Sequence, residues 1–476
     1  MSERQLLVGP FNRVEGDLEI KLDIRDGQVA AAYANSPLFR GFEMMLPGKD
    51  PRDALTLTPR ICGICSVSQS AAAAFALAEA SGARMPAQGA LAAAILHGVE
   101  NMADHVTHFH LFFMPDFARP AYAGRAWHDR AVQRFTALQG SAARATAEAR
   151  ARLFHIAGTL GGKWPHTLAI QPGGVTRAPA AQDRVRMLAT LRSFRRYLED
   201  GLFGAPVEAF AALSTIAELE AWETGDAGLF MAISADLGLA RSGFGPRRYL
   251  SFGAYPLEGG RAMAPGLWEG GAITPYDATQ ITEDLSHAWM LGDTAHPTRG
   301  QTLPDEDMRE SAYSWSKAPR LGGRVTEVGA LARQAIDGHP LAQALAAEGS
   351  TRARIAGRLL EIARLQLLLE DWARALDPDA RFMGDQPTVK AGTGAGLVEA
   401  ARGSLGHWLR IEGGRIASYQ IVAPTTWNFS PRDATGTPGP VEMALVGTEV
   451  AEGEETPLSV QHIVRSFDPC MVCTVH

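Results

Sequence analysis

Pro59-Arg60-Ile61-Cys62-Gly63-Ile64-Cys65 near the start, and Asp468-Pro469-Cys470-Met471-Val472-Cys473 three residues from the end, contain all four cysteines of this 476-residue chain. Two sulfurs spaced i, i+3 across a tight turn or first helical turn can point the same way, so each pair is a bidentate chelate for a thiophilic metal. One metal joining both pairs would draw the two ends of the chain together in the middle of the protein. Two redox dithiols or a structural zinc would use the same residues, and four thiolates alone default to zinc. Structural zinc usually staples a small local unit, however, whereas these pairs bracket a chain long enough to bury its own core.

Working outward, the patterning is mainly helical. Ser66 to Ala80, Ala90 to Met114, Ser141 to Ala157, Asp183 to Leu202 and Thr351 to Leu376 carry apolar residues at three- and four-residue spacing. The Ala90 to Met114 segment is apolar around most of its girth, which predicts a helix through the interior. Asp17 to Ile24, turning at Arg25-Asp26-Gly27 and resuming at Gln28, reads as a hairpin, and so does His407 to Ile411 with Arg415 to Val422. Gly253 to Gly270 and Gly436 to Gly439 read as long surface excursions. The fold class expected is α+β and mainly helical, with long central buried helices, peripheral β-hairpins and both termini converging on a buried metal site. Residues 1–476 are expected to form a single domain.

Composition is that of an ordinary soluble globular protein, 46% apolar and 20% charged. A formal charge of -7 gives no case for nucleic acid or acidic lipid as partner. The start Met1-Ser2-Glu3-Arg4 has no apolar signal region, and runs such as Ala71 to Leu77 are too short to span a bilayer, so no direct membrane insertion is expected. Cysteines confined to C-x-x-C pairs fit a reducing compartment, hence a cytoplasmic location. His105, His108 and His110 do not share one helical face and read as buried packing residues rather than a ligand set. Gly392-Thr393-Gly394-Ala395-Gly396 has its third glycine one place too early for a dinucleotide fingerprint.

The two cysteine motifs resemble the metal-binding signatures of [NiFe]-hydrogenase large subunits. The resemblance continues, in the family's order, through Arg13-Val14-Glu15-Gly16, Arg40-Gly41-Phe42-Glu43, Asp50-Pro51-Arg52-Asp53-Ala54, Asp104-His105, Ala401 to Trp408, Tyr419-Gln420 and Pro424 to Asn428. It implies that Cys62, Cys65, Cys470 and Cys473 hold nickel, with Cys65 and Cys473 bridging to an iron that bears cyanide and carbon monoxide. Four soft thiolates suit nickel. Dihydrogen would be split heterolytically beside Arg402, the match to a guanidinium held over the open site by Asp104 and Asp468. Glu15 would pass the proton onward. Glu43, the backbone carbonyl of Ile421 and His476 match a site for magnesium, a hard ion suited to oxygen ligands. With every cysteine already used, an iron-sulfur small subunit is implied as the electron-accepting partner.

Gln69 stands where most of the family has histidine, which removes a group that titrates near neutral pH. Ile64 and Phe112 stand where valine and leucine are common, and their bulk resembles the narrowed gas path of the hydrogen-sensing branch, against the simpler reading of an ordinary change in packing. The chain ends at His476, where most family precursors continue. Together these features imply a regulatory hydrogenase that reports H2 to a histidine kinase with low turnover. The alternative is an energy-conserving uptake hydrogenase feeding a respiratory chain.

Overall fold

A computed structural model describes residues 3–476; Met1 and Ser2, at the start read for an export signal, lie outside the described residues. The architecture is α+β and mainly helical, as the patterning predicts. At its centre runs the helix Ala87–Thr107, buried at every position from Leu91 to Thr107. Alanine, leucine and valine cover most of its girth, and the buried polar stripe is paired, Glu100 with Val67, Asp104 with Arg402 and His105 with Glu361. Beyond Thr107 the same helix widens into a π-helical turn over His108–Phe113, a local irregularity of the kind found near functional sites. The helices Ser66–Ser81, Ser141–Gly161, Ala181–Tyr197 and Thr351–Ala375 follow the predicted spans to within a few residues.

Of three three-stranded antiparallel sheets among the described residues, two bear on the site. The first joins Glu3–Val8, Glu19–Arg25 and Gln28–Asn35, so the predicted hairpin is present and gains an edge strand ahead of it. Its inner face, with Ile20, Leu22 and Val29, shares a buried cluster with Val460, Val464 and Phe467 around the C-terminal helix Leu458–Ser466. That packing brings the chain ends together. The second sheet joins Gly392–Ala400, Gly403–Glu412 and Arg415–Val422.

The Gly392 to Gly396 run is a strand rather than a nucleotide loop, and close approach explains its glycines. A Cβ added at Gly394 would lie 2.0 Å from the Ala76 carbonyl oxygen, and one at Gly396 would lie 1.8 Å from that of Ala72. The strand therefore lies directly on the alanine face of the Ser66–Ser81 helix, which follows Cys65.

The Gly253 to Gly270 stretch is not a surface excursion. It forms the short strands Ala254–Leu257, Gly260–Met263 and Gly266–Glu269, with Tyr255, Met263 and Trp268 buried. Strands of four residues are too brief for alternation to register, so their turn glycines dominate the sequence signal. In the second such stretch Gly436 is exposed, but Gly439 is buried against Ser430 ahead of the helix Pro440–Leu445. Among the described residues no helix is long and apolar enough to cross a membrane.

Candidate metal centre

Cys65 occupies the position just before the helix Ser66–Ser81, so the start of that helix fixes where its sulfur lies. Glu100, from the central helix, accepts the Val67 and Ser68 N–H groups at 2.8 and 2.9 Å and the Trp164 indole N–H at 3.0 Å. Burial pushes the Glu100 carboxyl up to about 7, against the pull of those bonds. The first cysteine loop is thus fixed to the interior by a residue that no local motif announces.

The second loop is fixed by the N-terminal segment. Glu15 and Cys470 pair as a short parallel bridge, and the Met471 N–H donates to the Glu15 carbonyl at 2.7 Å. Gly16, with φ of 79°, lets this segment pass, since a Cβ there would sit 3.0 Å from Val472. The Cys470 N–H donates to Thr425 Oγ1 at 3.1 Å. Arg40 then spans the two loops, its guanidinium donating to the carbonyls of Ile61 and Val472, each one residue ahead of a cysteine.

All four cysteines are buried, and one sulfur from each lies within 4.8 Å of the other three. The Sγ atoms of Cys62 and Cys470 are 3.5 Å apart, those of Cys65 and Cys473 3.1 Å, and those of Cys470 and Cys473 3.2 Å. Hydrogen bonds from the other thiols pull Cys62 well below its usual range, while the same contacts push Cys65 and Cys473 well above theirs. Four buried thiols this close together cannot all ionise unaided. A thiophilic divalent ion fits this donor set, because it alone would let all four ionise.

Arg402 is buried above the cysteines. Its Nε donates to the Asp468 carbonyl at 2.9 Å and its Nη2 to Asp468 Oδ1 at 3.1 Å, while Nη1 donates to Asp104 Oδ2. Burial alone would raise the Asp468 carboxyl, but Arg402 and His108 hold it below the usual range. Arg333 supports the backbone just before Arg402: it pairs with Glu361 and Glu399 and donates to the carbonyls of Ala400 and Ala401 at 2.7 and 2.9 Å. Glu15 is half-buried, and burial together with the Cys62 charge pushes its carboxyl up.

Glu43 and His476 also meet, His476 Nε2 lying 3.1 Å from Glu43 Oε1. Two details bear on the magnesium expectation. The Ile421 N–H donates to Glu43 Oε1 at 2.7 Å, which places that residue's backbone beside the carboxylate. The buried Lys317 ammonium also sits 2.9 Å from Glu43, 2.8 Å from the Gln420 amide oxygen and 3.4 Å from Glu283. Glu283 Oε1 is buried without a hydrogen-bond partner, so an oxygen-rich set with unused capacity remains for a hard ion.

The three histidines diverge as the spacing predicts: His105 meets Glu361, His108 the Arg465 carbonyl and His110 Asp226. Gln69 lies beside Cys473, with Nε2 at 3.9 Å from Sγ. Ile64 and Phe112 are half-buried, and the Phe112 carbonyl accepts from Arg13 at 3.2 Å. Sequence reasoning missed Glu100, Lys317 and Arg333 as site-supporting residues, whereas His407, Tyr419 and Thr425 lay within the motifs quoted above without being given a role. Arg40 had a signal, its place in the Arg40 to Glu43 motif.

A buried cluster of four thiols, closed from both ends of an α+β chain with a clamped arginine beside it, is a donor set that could hold a thiophilic metal. The family described as nickel-dependent hydrogenase matches residues 40–139 and 145–476, and the chain belongs to it, as the large subunit of an oxidoreductase acting on H2. It is 28% identical to the periplasmic [NiFeSe] hydrogenase large subunit of Desulfomicrobium baculatum, covering 99% of this chain and 95% of that one. It is 27% identical to the hydrogenase-2 large chain of Escherichia coli strain K12, covering 100% and 97%. With the uptake hydrogenase large subunit of Rhodobacter capsulatus it shares 26% identity, covering 99% and 95%. The reduced Ni-Fe-Se hydrogenase of D. vulgaris Hildenborough superposes with a TM-score of 0.87 at 27% identity, over 100% of both chains.

Proposed function

We propose that Cys62, Cys65, Cys470 and Cys473 hold nickel, with Cys65 and Cys473 shared with an iron bearing cyanide and carbon monoxide. The observation that carries this reading is the set of four buried sulfurs within 4.8 Å in a chain of this family. When bound, the metal pair supplies an open, electrophilic site for heterolytic cleavage of H2. Arg402 presents a fixed planar charge to that site, oriented by Asp104 and Asp468. Glu15 accepts the released proton at its carboxylate, since its backbone is bonded to the Cys470 loop and its raised affinity for protons suits a carrier. Glu43 and His476, with Ile421 beside them, would hold magnesium next to Lys317 and tie the last residue to the sheet. Residues 1–476 act as one large-subunit unit, and an iron-sulfur small subunit takes the electrons.

Gln69, Ile64 and Phe112 support the finer reading of a regulatory, hydrogen-sensing enzyme that signals to a histidine kinase. The names of the R. capsulatus relative and of the quinone-reactive Wolinella succinogenes chain favour the second reading, an uptake enzyme feeding a respiratory chain. Cysteine usage favours a reducing, cytoplasmic setting for this chain, although the D. baculatum relative is periplasmic by name.

Infrared spectroscopy and metal analysis of the purified complex test the centre. Cyanide and carbon monoxide stretches with nickel and iron are expected, and Cys62→Ser should lose nickel and H2-dependent activity. A Cys62→Ser protein with full nickel and parental turnover would sink the assignment. Kinase autophosphorylation that responds to H2 separates the sensor from the uptake enzyme.

A further inference from the structure

Three buried neutral side chains stand in line behind Cys473. Gln69 Oε1 is 2.7 Å from His407 Nε2, and His407 Nδ1 is 2.7 Å from the Tyr419 hydroxyl. Gln69 and His407 are fully buried and Tyr419 is 1% exposed. At the other end of the line, Gln69 Nε2 faces Cys473 Sγ at 3.9 Å. His407 and Tyr419 sit on adjacent strands of the second sheet, paired through Trp408↔Gln420 and Leu409↔Tyr419.

Hydrogen-bond chemistry gives this line a direction. An amide oxygen only accepts, so His407 must carry its proton on Nε2. A neutral imidazole protonated there has an accepting Nδ1, which takes the Tyr419 O–H. Were both ring nitrogens protonated, the Tyr419 O–H would lose its acceptor, so the line fits a neutral imidazole. The His407 and Tyr419 donors then each have an acceptor, and the Gln69 amide nitrogen is left facing the sulfur.

The reverse arrangement fails at both ends. If the Gln69 amide flips, its NH2 must donate to His407 Nε2, the imidazole proton moves to Nδ1, and Tyr419 becomes the acceptor. The Tyr419 hydroxyl hydrogen then has no acceptor among the described residues, because His407 is its sole hydrogen-bond partner there. The Gln69 carbonyl would also face an electron-rich sulfur.

We propose that His407 and Tyr419 are positioning residues that lock the Gln69 amide with its N–H toward Cys473, making Gln69 a fixed donor to a metal-bridging thiolate. This rests on the nickel-iron reading above. Where the family's usual histidine would titrate, this chain has a neutral donor whose direction is set by a phenol two side chains away. The pull of Gln69 on the sulfur's electrons thus stays constant with pH.

The test uses the intact complex with its small subunit. Tyr419→Phe removes one oxygen, frees the imidazole tautomer and releases the amide. Nickel and iron content should match the parent, while the iron's carbon monoxide stretch moves to lower wavenumber, because a sulfur that loses an N–H donor returns electron density to the metals. Gln69→Leu should shift the band in the same direction, and adding Tyr419→Phe to Gln69→Leu should move it no further. Should Tyr419→Phe not accumulate, His407→Leu removes the donor to Gln69 by a different route and should give the same shift. Unmoved bands in a metal-replete single variant, or additive shifts in the double variant, overturn the relay. A parent complex without nickel and without these bands overturns the nickel-iron reading instead.

Discussion

Arg402→Lys separates position from charge at the centre of the proposed site. Arg402 makes three hydrogen bonds, to the Asp468 carbonyl, to Asp468 Oδ1 and to Asp104 Oδ2. Asp104 Oδ1 and Asp468 Oδ2 have no partner in the buried site, so neither carboxylate has a second bond in reserve. A lysine keeps the positive charge but replaces a planar fork with a single ammonium on a flexible stem, which cannot reproduce the fixed orientation of the fork between Asp104 and Asp468. Loss of one fixed, charge-stabilising donor raises a barrier by roughly 2.7–4 kcal/mol, or about 10²–10³-fold in rate. Charge is unchanged and no metal ligand is touched, so nickel and iron content should hold. H2-dependent reduction of an artificial acceptor by the metal-analysed complex gives the measurement. A metal-replete lysine variant within about tenfold of the parent rate would refute the idea that clamped geometry, rather than charge alone, is what Arg402 supplies.

Other perturbations probe the scaffold and the gas path. Gly396→Ala would drive a Cβ to 1.8 Å from the Ala72 carbonyl oxygen, so the strand must lift off the cysteine helix, with a destabilisation of about 3 kcal/mol or more and lowered metal occupancy. Gly158→Ala is the matched control: it lies in the helix Ser141–Gly161 with nothing within 4 Å, and thermal melts should show it unchanged or stabilised by up to about 1 kcal/mol. Ile64→Val with Phe112→Leu should make H2-dependent activity sensitive to oxygen, and a double variant as tolerant as the parent removes the narrowed-path reading. Burial holds His97 and His108 down to about 3 and His462 to about 4, so the unfolded chain binds protons there that the folded chain does not. Stability conferred by these neutral imidazoles is full above pH ~6.5 and falls as pH drops toward 3, by up to ~1.4 kcal/mol per pH unit per group. Thermal inactivation measured from pH 7 to 4 should steepen accordingly, and His462→Gln should lessen the slope.

Legibility in the sequence tracked how local each signal was. The long helices were readable because their apolar spacing repeats over several turns, and the central one because apolar residues cover most of its girth. The four cysteines, Arg402 with Asp104 and Asp468, and Glu43 with His476 came together as the ordered motifs implied. The strand Gly392–Ala400 was not readable, since its glycines answer to the alanine face of a helix more than 300 residues away and locally resemble a loop. Lys317 and Glu283 gave no signal either, because a buried lysine looks like any other until the carboxylates around it are placed.

The separation of the two cysteine pairs explains why the motif is informative at the level of the whole fold. Cys62 and Cys470 are 408 positions apart, and closing a loop of that length costs about 5 kcal/mol in chain entropy. Four thiols brought together without a cation add nothing to offset that cost, so other contacts must close the loop. They are visible: the N-terminal sheet buries its face against the Leu458–Ser466 region, Glu15 pairs with the Cys470 loop, and Arg40 reaches carbonyls on both loops. Each contact joins the first tenth of the chain to its last residues or to the first cysteine loop, so the ligand set exists only where the N-terminal segment is correctly folded. That coupling gives Arg13 to Glu43 a structural role in addition to any chemistry at Glu15. It also accounts for the placement of family-like motifs at both extremes of the sequence, with the long helices between them acting as the frame that holds the extremes in register.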